Sequence, residues 1–131
     1  MDWENLLEEI EDMARFDLKA CISYLAVILE HLYKWDNFRP LTKAGRDKGV
    51  LSWIASIENA RRKLNVLLKR YLSLKEKLPK EPQLAWEEAT AEIVAWLIKD
   101  GKDPEKYNIQ EEYPYTYETA ITRDLRKELK P

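Results

Sequence analysis

The sequence predicts an all-α protein, a single-domain helical bundle of four to five helices over residues 1–131. Three observations carry that expectation. From Ala20 to Tyr33 only Ser23, Glu30 and His31 are polar, so a helix through Leu18 to Trp35, LKACISYLAVILEHLYKW, is apolar around nearly its whole circumference. Such a helix belongs in the middle of a bundle. The flanking stretches repeat apolar residues at three-four spacing, and no segment alternates as a half-buried strand does. Only 3 glycines stand against 5 tryptophans and 7 tyrosines, a composition that argues against disorder and against a sheet of tight hairpins.

The first helix is expected to start with Asp2 as N-cap and to run Trp3, Leu6, Leu7, Ile10, Met13 and Ala14 along one face, with Asn5, Glu8, Glu9, Glu11 and Asp12 on the other. Around Arg15 to Asp17 the apolar stripe changes phase, and Asp17 could cap the central helix. A break or kink is therefore expected there, with one continuous helix as the alternative. Asn37 to Gly49, NFRPLTKAGRDKG, reads as the one long loop. A third helix is predicted from about Val50 to Leu72, with Trp53, Ile54, Ile57, Leu64, Leu67, Leu68 and Tyr71 as its apolar stripe. Pro79 and Pro82 separate it from a fourth, Pro82 to about Lys99, whose inward residues are Leu84 or Ala85, Trp86, Ala89, Ile93, Trp96 and Leu97. Asp100-Gly101 is its stop. Beyond it, Pro104, Tyr107, Pro114 and neighbouring tyrosines form an irregular strap with its rings down on the bundle. Thr116 then caps a short last helix carrying Tyr117, Ala120, Ile121 and Leu125 on one side.

A chain of 131 residues can bury a core without metal or disulfide staples. The single cysteine, Cys21, sits inside the apolar helix and reads as a small buried hydrophobe in a reducing compartment. Met1 is followed by Asp2, Trp3 and Glu4 in place of a basic and then apolar leader, so the cytoplasm is expected. The apolar run, bracketed by Lys19 and Lys34, is shorter than the roughly 18 residues of a membrane span, and no membrane association is expected.

Charge is segregated along the chain. Residues 1–33 carry a net −6, residues 34–77 a net +8 and residues 78–131 a net −4, within an overall −2. One use of these charges is intramolecular, with Glu8, Glu9, Glu11 or Asp12 facing Arg61, Arg62 or Lys63 across two packed helices. The other is external, with Arg39, Lys43, Arg46, Lys48, Arg61 and Arg62 binding phosphates or an acidic partner. No aromatic residue alternates with these cations except Phe38, which weakens a nucleic-acid reading.

Chemistry-bearing patterns are sparse. The lone His31 cannot build a multi-histidine metal site, and the Glu-x-x-His spacing of di-iron bundles is missing, so no metal and no cofactor are expected. A satisfied, partly buried imidazole partnered by a carboxylate of the first helix or the strap is expected, with acid–base work alongside Glu8 or Glu11 as the catalytic alternative. Gly45 and Gly49 do not form a phosphate loop, because Val50 stands where lysine and a hydroxyl residue are needed. All five tryptophans, Trp3, Trp35, Trp53, Trp86 and Trp96, fall on inward faces and read as core.

The ordered blocks Asp2-Trp3-Glu4-Asn5-Leu6-Leu7-Glu8-Glu9-Ile10-Glu11-Asp12-Met13, His31-Leu32-Tyr33-Lys34-Trp35, Ser52-Trp53-Ile54 with Ile57 and Arg61 behind it, and Tyr113-Pro114-Tyr115-Thr116 resemble the bacterial domain of unknown function 29. The motif positions so marked include Trp3, Asn5, Glu8, Glu9, His31, Lys34, Trp35 and Trp53. The resemblance implies a small, all-helical, intracellular bacterial protein and assigns no activity. It also implies a further amphipathic helix before the Asp-Trp-Glu-Asn block, at which the present sequence begins. If that start is real, an open groove beside the first two helices is expected to take a second copy or a partner's helix; a mis-assigned start is the alternative. The favoured reading is a non-enzymatic helical protein-interaction module, a homodimer or the binder of a protein partner. A nucleic-acid or phosphate binder using the basic 39–63 segment is the alternative, and a hydrolase centred on His31 stands third.

Overall fold

A span that is apolar on every side has no face to give to water. In the computed structural model it forms the middle of α1 (Trp3–Phe38), a helix of 36 residues. The structure describes residues 3–39 and 46–128, with side chains placed for 17–39 and 49–128. From residue 20 to residue 35 no side chain is exposed, and Cys21, Leu25, Ile28, Leu29 and Leu32 are fully buried. Around α1 stand α2 (Arg46–Arg70), the short α3 (Leu72–Lys77), α4 (Pro82–Lys99), α5 (Tyr117–Thr122) and α6 (Leu125–Glu128), with 3₁₀ turns at Leu78–Lys80 and Pro104–Tyr107. Among the described residues there is no strand, and the fold is all-α as the sequence predicts.

The expected break near Arg15–Asp17 is not observed: α1 runs straight through it. The physical reason is a balance of ends against propensity. An aspartate inside a helix costs a few tenths of a kcal/mol, about 0.7 at most, whereas a break orphans four backbone donors or acceptors at each new terminus. No glycine or proline lies there to force it. The Asp2 cap lies outside the described residues.

The long loop is shorter than predicted at both ends. Phe38, almost wholly buried, keeps α1 helical past Asn37, whose side-chain amide donates to the Tyr33 carbonyl at 3.0 Å, and α2 begins at Arg46. The short return makes α2 antiparallel to α1, and two contacts set the register. Trp96 packs edge-on against Trp53 of α2 and lies beneath the Lys34 ammonium of α1, and ten residues further along α2 Lys63 sits 5.8 Å from the Tyr24 ring.

The third predicted helix ends at Arg70, two residues early, because Tyr71 turns to extended backbone (φ −128°, ψ 99°) before α3 restarts. The detour sinks Leu74 and Leu78 completely into the core while leaving Leu72 exposed. Helix α4 has the predicted bounds, and its inward residue is Ala85, with Leu84 half exposed. At its C-terminus Gly101 adopts φ +75°, and the Gly101 and Lys102 amides close back onto Ile98 and Leu97 at 2.9 Å each.

The strap lies ring-down as predicted, with Tyr107, Tyr113, Tyr115 and Tyr117 packed on the core. It is tied by backbone groups: the Trp86 indole donates to the Gln110 carbonyl at 2.9 Å, and Gln83 holds both the Glu111 carbonyl and the Tyr113 amide. Thr116 caps α5 by accepting from the Thr119 amide at 3.0 Å. The predicted last helix is split at Arg123–Asp124, because Arg123 leaves helical geometry (ψ 127°) to form a two-pronged ion pair with Asp36 of α1 at 2.7 and 2.8 Å.

Two stability predictions follow from these contacts. Trp86→Phe removes the indole donor and part of a fully buried ring, and should cost about 2 kcal/mol in chemical denaturation. Tyr113 carries a buried hydroxyl with no hydrogen-bond partner, and burial pushes its pKa up to about 12. Tyr113→Phe should leave stability unchanged or raise it by up to about 1 kcal/mol in the same assay.

Candidate functional site

Among the motif positions, Lys34 of α1 and Trp53 of α2 both meet Trp96 of α4, and His31 lies one turn before Lys34 on α1. Lys34 is 5% exposed, donates to Glu30 Oε2 at 2.7 Å and lies 4.5 Å from the centre of the Trp96 ring. A carboxylate four residues back and an aromatic face replace the water its ammonium has lost. Lys34, which in the sequence brackets the apolar run, is here an interior cation.

His31 Nδ1 lies 2.7 Å from the Val27 carbonyl, which fixes the Nδ1–H tautomer, and Nε2 stands 3.9 Å from Glu30 Oε2, beyond hydrogen-bond range. Burial holds the imidazole below its ordinary pKa of 6.5, with Glu30 and the Val27 carbonyl opposing and Lys34 assisting. The expected partner from the start of the chain is not made. Along one continuous helix, positions 8 and 11 lie roughly 30–35 Å from position 31, so neither Glu8 nor Glu11 reaches His31. Cys21 is buried as expected, its thiol pushed up to about 11 by burial and by Asp17. Among the described residues no group of three His, Cys, Asp or Glu is placed to hold a metal ion.

The remaining candidate positions divide three ways. The Arg39 guanidinium stacks 4.3 Å from the centre of the Trp35 ring, with Trp35 itself buried. Arg61, half-buried on α2, donates twice to the Ala120 carbonyl, at 2.8 and 3.0 Å, and so holds the end of α5 against α2. Arg62 is exposed beside Asn59 Oδ1 at 3.3 Å. The side chains of Trp3, Asn5, Glu8, Glu9, Lys43, Arg46 and Lys48 lie outside the described residues, and so does any pairing of Glu8, Glu9, Glu11 or Asp12 with the basic helix.

Two surface clefts have apolar floors and charged rims. The first, of about 460 Å³, lies between α1 and the start of α4, where Ala20, Ile22 and the half-exposed Leu84 form the walls and Lys19, Ser23 and Glu88 the edge. Ser23 and Glu88 are joined across it at 3.0 Å. The first two predicted helices are one rod, and among the described residues the second wall of the cleft beside it comes from α4. The other cleft, of about 330 Å³, lies between α2 and α5, with Leu64, Leu68 and Ile121 below and Arg61, Arg62 and Asn65 at the edge. Sequence reasoning missed Leu84 as a surface residue and Asp36 as the anchor of Arg123. The apolar period of α4 is ambiguous by one position, and a contact between residues 36 and 123 leaves no local trace.

His31 yields a pH prediction. Its folded-state pKa is depressed, so its contribution to stability is complete above the ordinary imidazole value of 6.5 and is lost as pH falls through the folded value. Between pH 7 and 5, above the range where carboxylates titrate, the denaturation midpoint of the wild type should fall more than that of His31→Gln.

No curated protein and no solved structure matches the chain. A family profile described as Domain of unknown function DUF29 matches residues 1–125. The blocks containing His31, Lys34, Trp35 and Trp53 thus lie within that match, where the structure gives them interior positions, and the chain belongs to the DUF29 family.

Proposed function

We propose that this chain is a non-enzymatic helical interaction module that works by associating with a second copy of itself. The observation that carries the reading is the pair of surface clefts, each with an apolar floor and a charged rim, beside an interior whose histidine and lysine are already partnered by their own chain. Apolar floors of this kind suit an amphipathic helix, which fills them with residues three and four apart. Supporting the choice over phosphate binding, Arg39 stacks on Trp35 and Arg61 spends two donors on Ala120. The reading extends to the reducing bacterial cytoplasm, supported by one buried thiol with no second cysteine to pair with.

Size-exclusion chromatography with light scattering is the test. Across a micromolar concentration series the protein should show a mass rising to twice that of the chain. A single-chain mass at every concentration would remove the reading.

A further inference from the structure

The acidic and basic segments of this chain are complementary in charge and out of step in space. The α1/α2 register pairs Lys63 with the level of Tyr24 and Trp53 with the level of Lys34, which puts Arg61 and Arg62 beside residues 25 and 26 of α1. Positions 8 to 12 therefore lie roughly 20–27 Å further along the α1 axis. That exceeds the combined reach of a glutamate and Arg61 or Arg62, so the backbone keeps these two arginines from positions 8 to 12 of their own chain. Lys69 lies nearer, at about the level of residue 18.

We propose that the α2/α5 cleft of each molecule receives the acidic amphipathic stretch at the start of α1 from a second copy, in a two-fold dimer that makes the same contact twice. In sequence that stretch carries Trp3, Leu6, Leu7, Ile10 and Met13 at helical spacing, flanked by Glu4, Glu8, Glu9 and Glu11. The cleft offers the matching half: Leu64, Leu68 and Ile121 as an apolar floor, with Arg62 and, seven residues on along the same face, Lys69 as exposed cations. Glu4 and Glu11 repeat the same seven-residue spacing with opposite sign. Between Asn59 and Leu74 the chain has five cations and no anion, and residues 1–14 have six anions and no cation, so the α2 wall and the acidic stretch are opposite in sign, while α5, the other wall, carries the exposed Glu118. The rim of the α1/α4 cleft carries Lys19 and Glu88, one charge of each sign, and gives no such preference. An isologous pairing satisfies both offsets at once and closes on itself.

The proposal rests on the self-association reading, and sedimentation of the full chain separates the two. Arg62→Glu with Lys69→Glu should weaken dimerisation at least tenfold, as should Glu4→Lys with Glu11→Lys. The fourfold combination should recover most of the wild-type affinity, which mere destabilisation of the fold cannot explain. Leu84→Glu, in the other cleft, should leave dimerisation unchanged. If the wild type dimerises while either charge reversal has no effect, or the combination fails to recover, or Leu84→Glu abolishes the dimer, this interface is wrong and self-association stands. If the wild type is monomeric, both fall.

Discussion

The structure depends on the enclosure of one helix. Between residues 20 and 35 α1 presents no exposed side chain, so α2, α4 and the C-terminal segments must surround it, and their placement follows from what each buries there. Burial of apolar area at about 25 cal/mol per Å² favours such an arrangement, and its cost falls on the few polar groups carried along. Those groups are answered locally. Glu30 takes the Lys34 ammonium, the Val27 carbonyl takes the His31 ring, and the Trp96 face covers Lys34.

A second constraint holds the C-terminal third in place. Asp36, one turn from the end of α1, receives both prongs of Arg123 and the Tyr115 hydroxyl at 2.7 Å. Burial alone would raise its pKa, but the Arg123 and Tyr115 hydrogen bonds hold the carboxyl below the usual range. This one carboxylate ties both the strap and the start of α6 to the central helix. The Tyr113-Pro114-Tyr115-Thr116 block thereby has a structural meaning, since Tyr115 reaches Asp36 and Thr116 caps α5.

Much of this was legible in the sequence, for reasons tied to particular residues. The span 20–33 has too little polarity to lie at a surface, Pro82 and Gly101 punctuate α4, and Thr116 announces a helix start. The failures came where local and tertiary terms compete. A phase change at Arg15–Asp17 looks like a boundary, but continuing the helix costs less than ending it. Tyr71 breaks α2 so that Leu74 and Leu78 can be buried, a gain invisible in the local period. That Lys34 is interior shows only once its neighbours Glu30 and Trp96 are placed in space. For the candidate site, composition revealed the opposed charge bands, and only the register of α1 against α2 placed Arg61 and Arg62 well along the axis from positions 8 to 12.

Hydrogen exchange along α1 tests the account most directly. If the helix is continuous and enclosed, the amides of Ala20 to Tyr33 exchange only through global unfolding and share one dependence on denaturant. Exchange of that span through local opening, at a free energy well below that of global unfolding, would contradict the account.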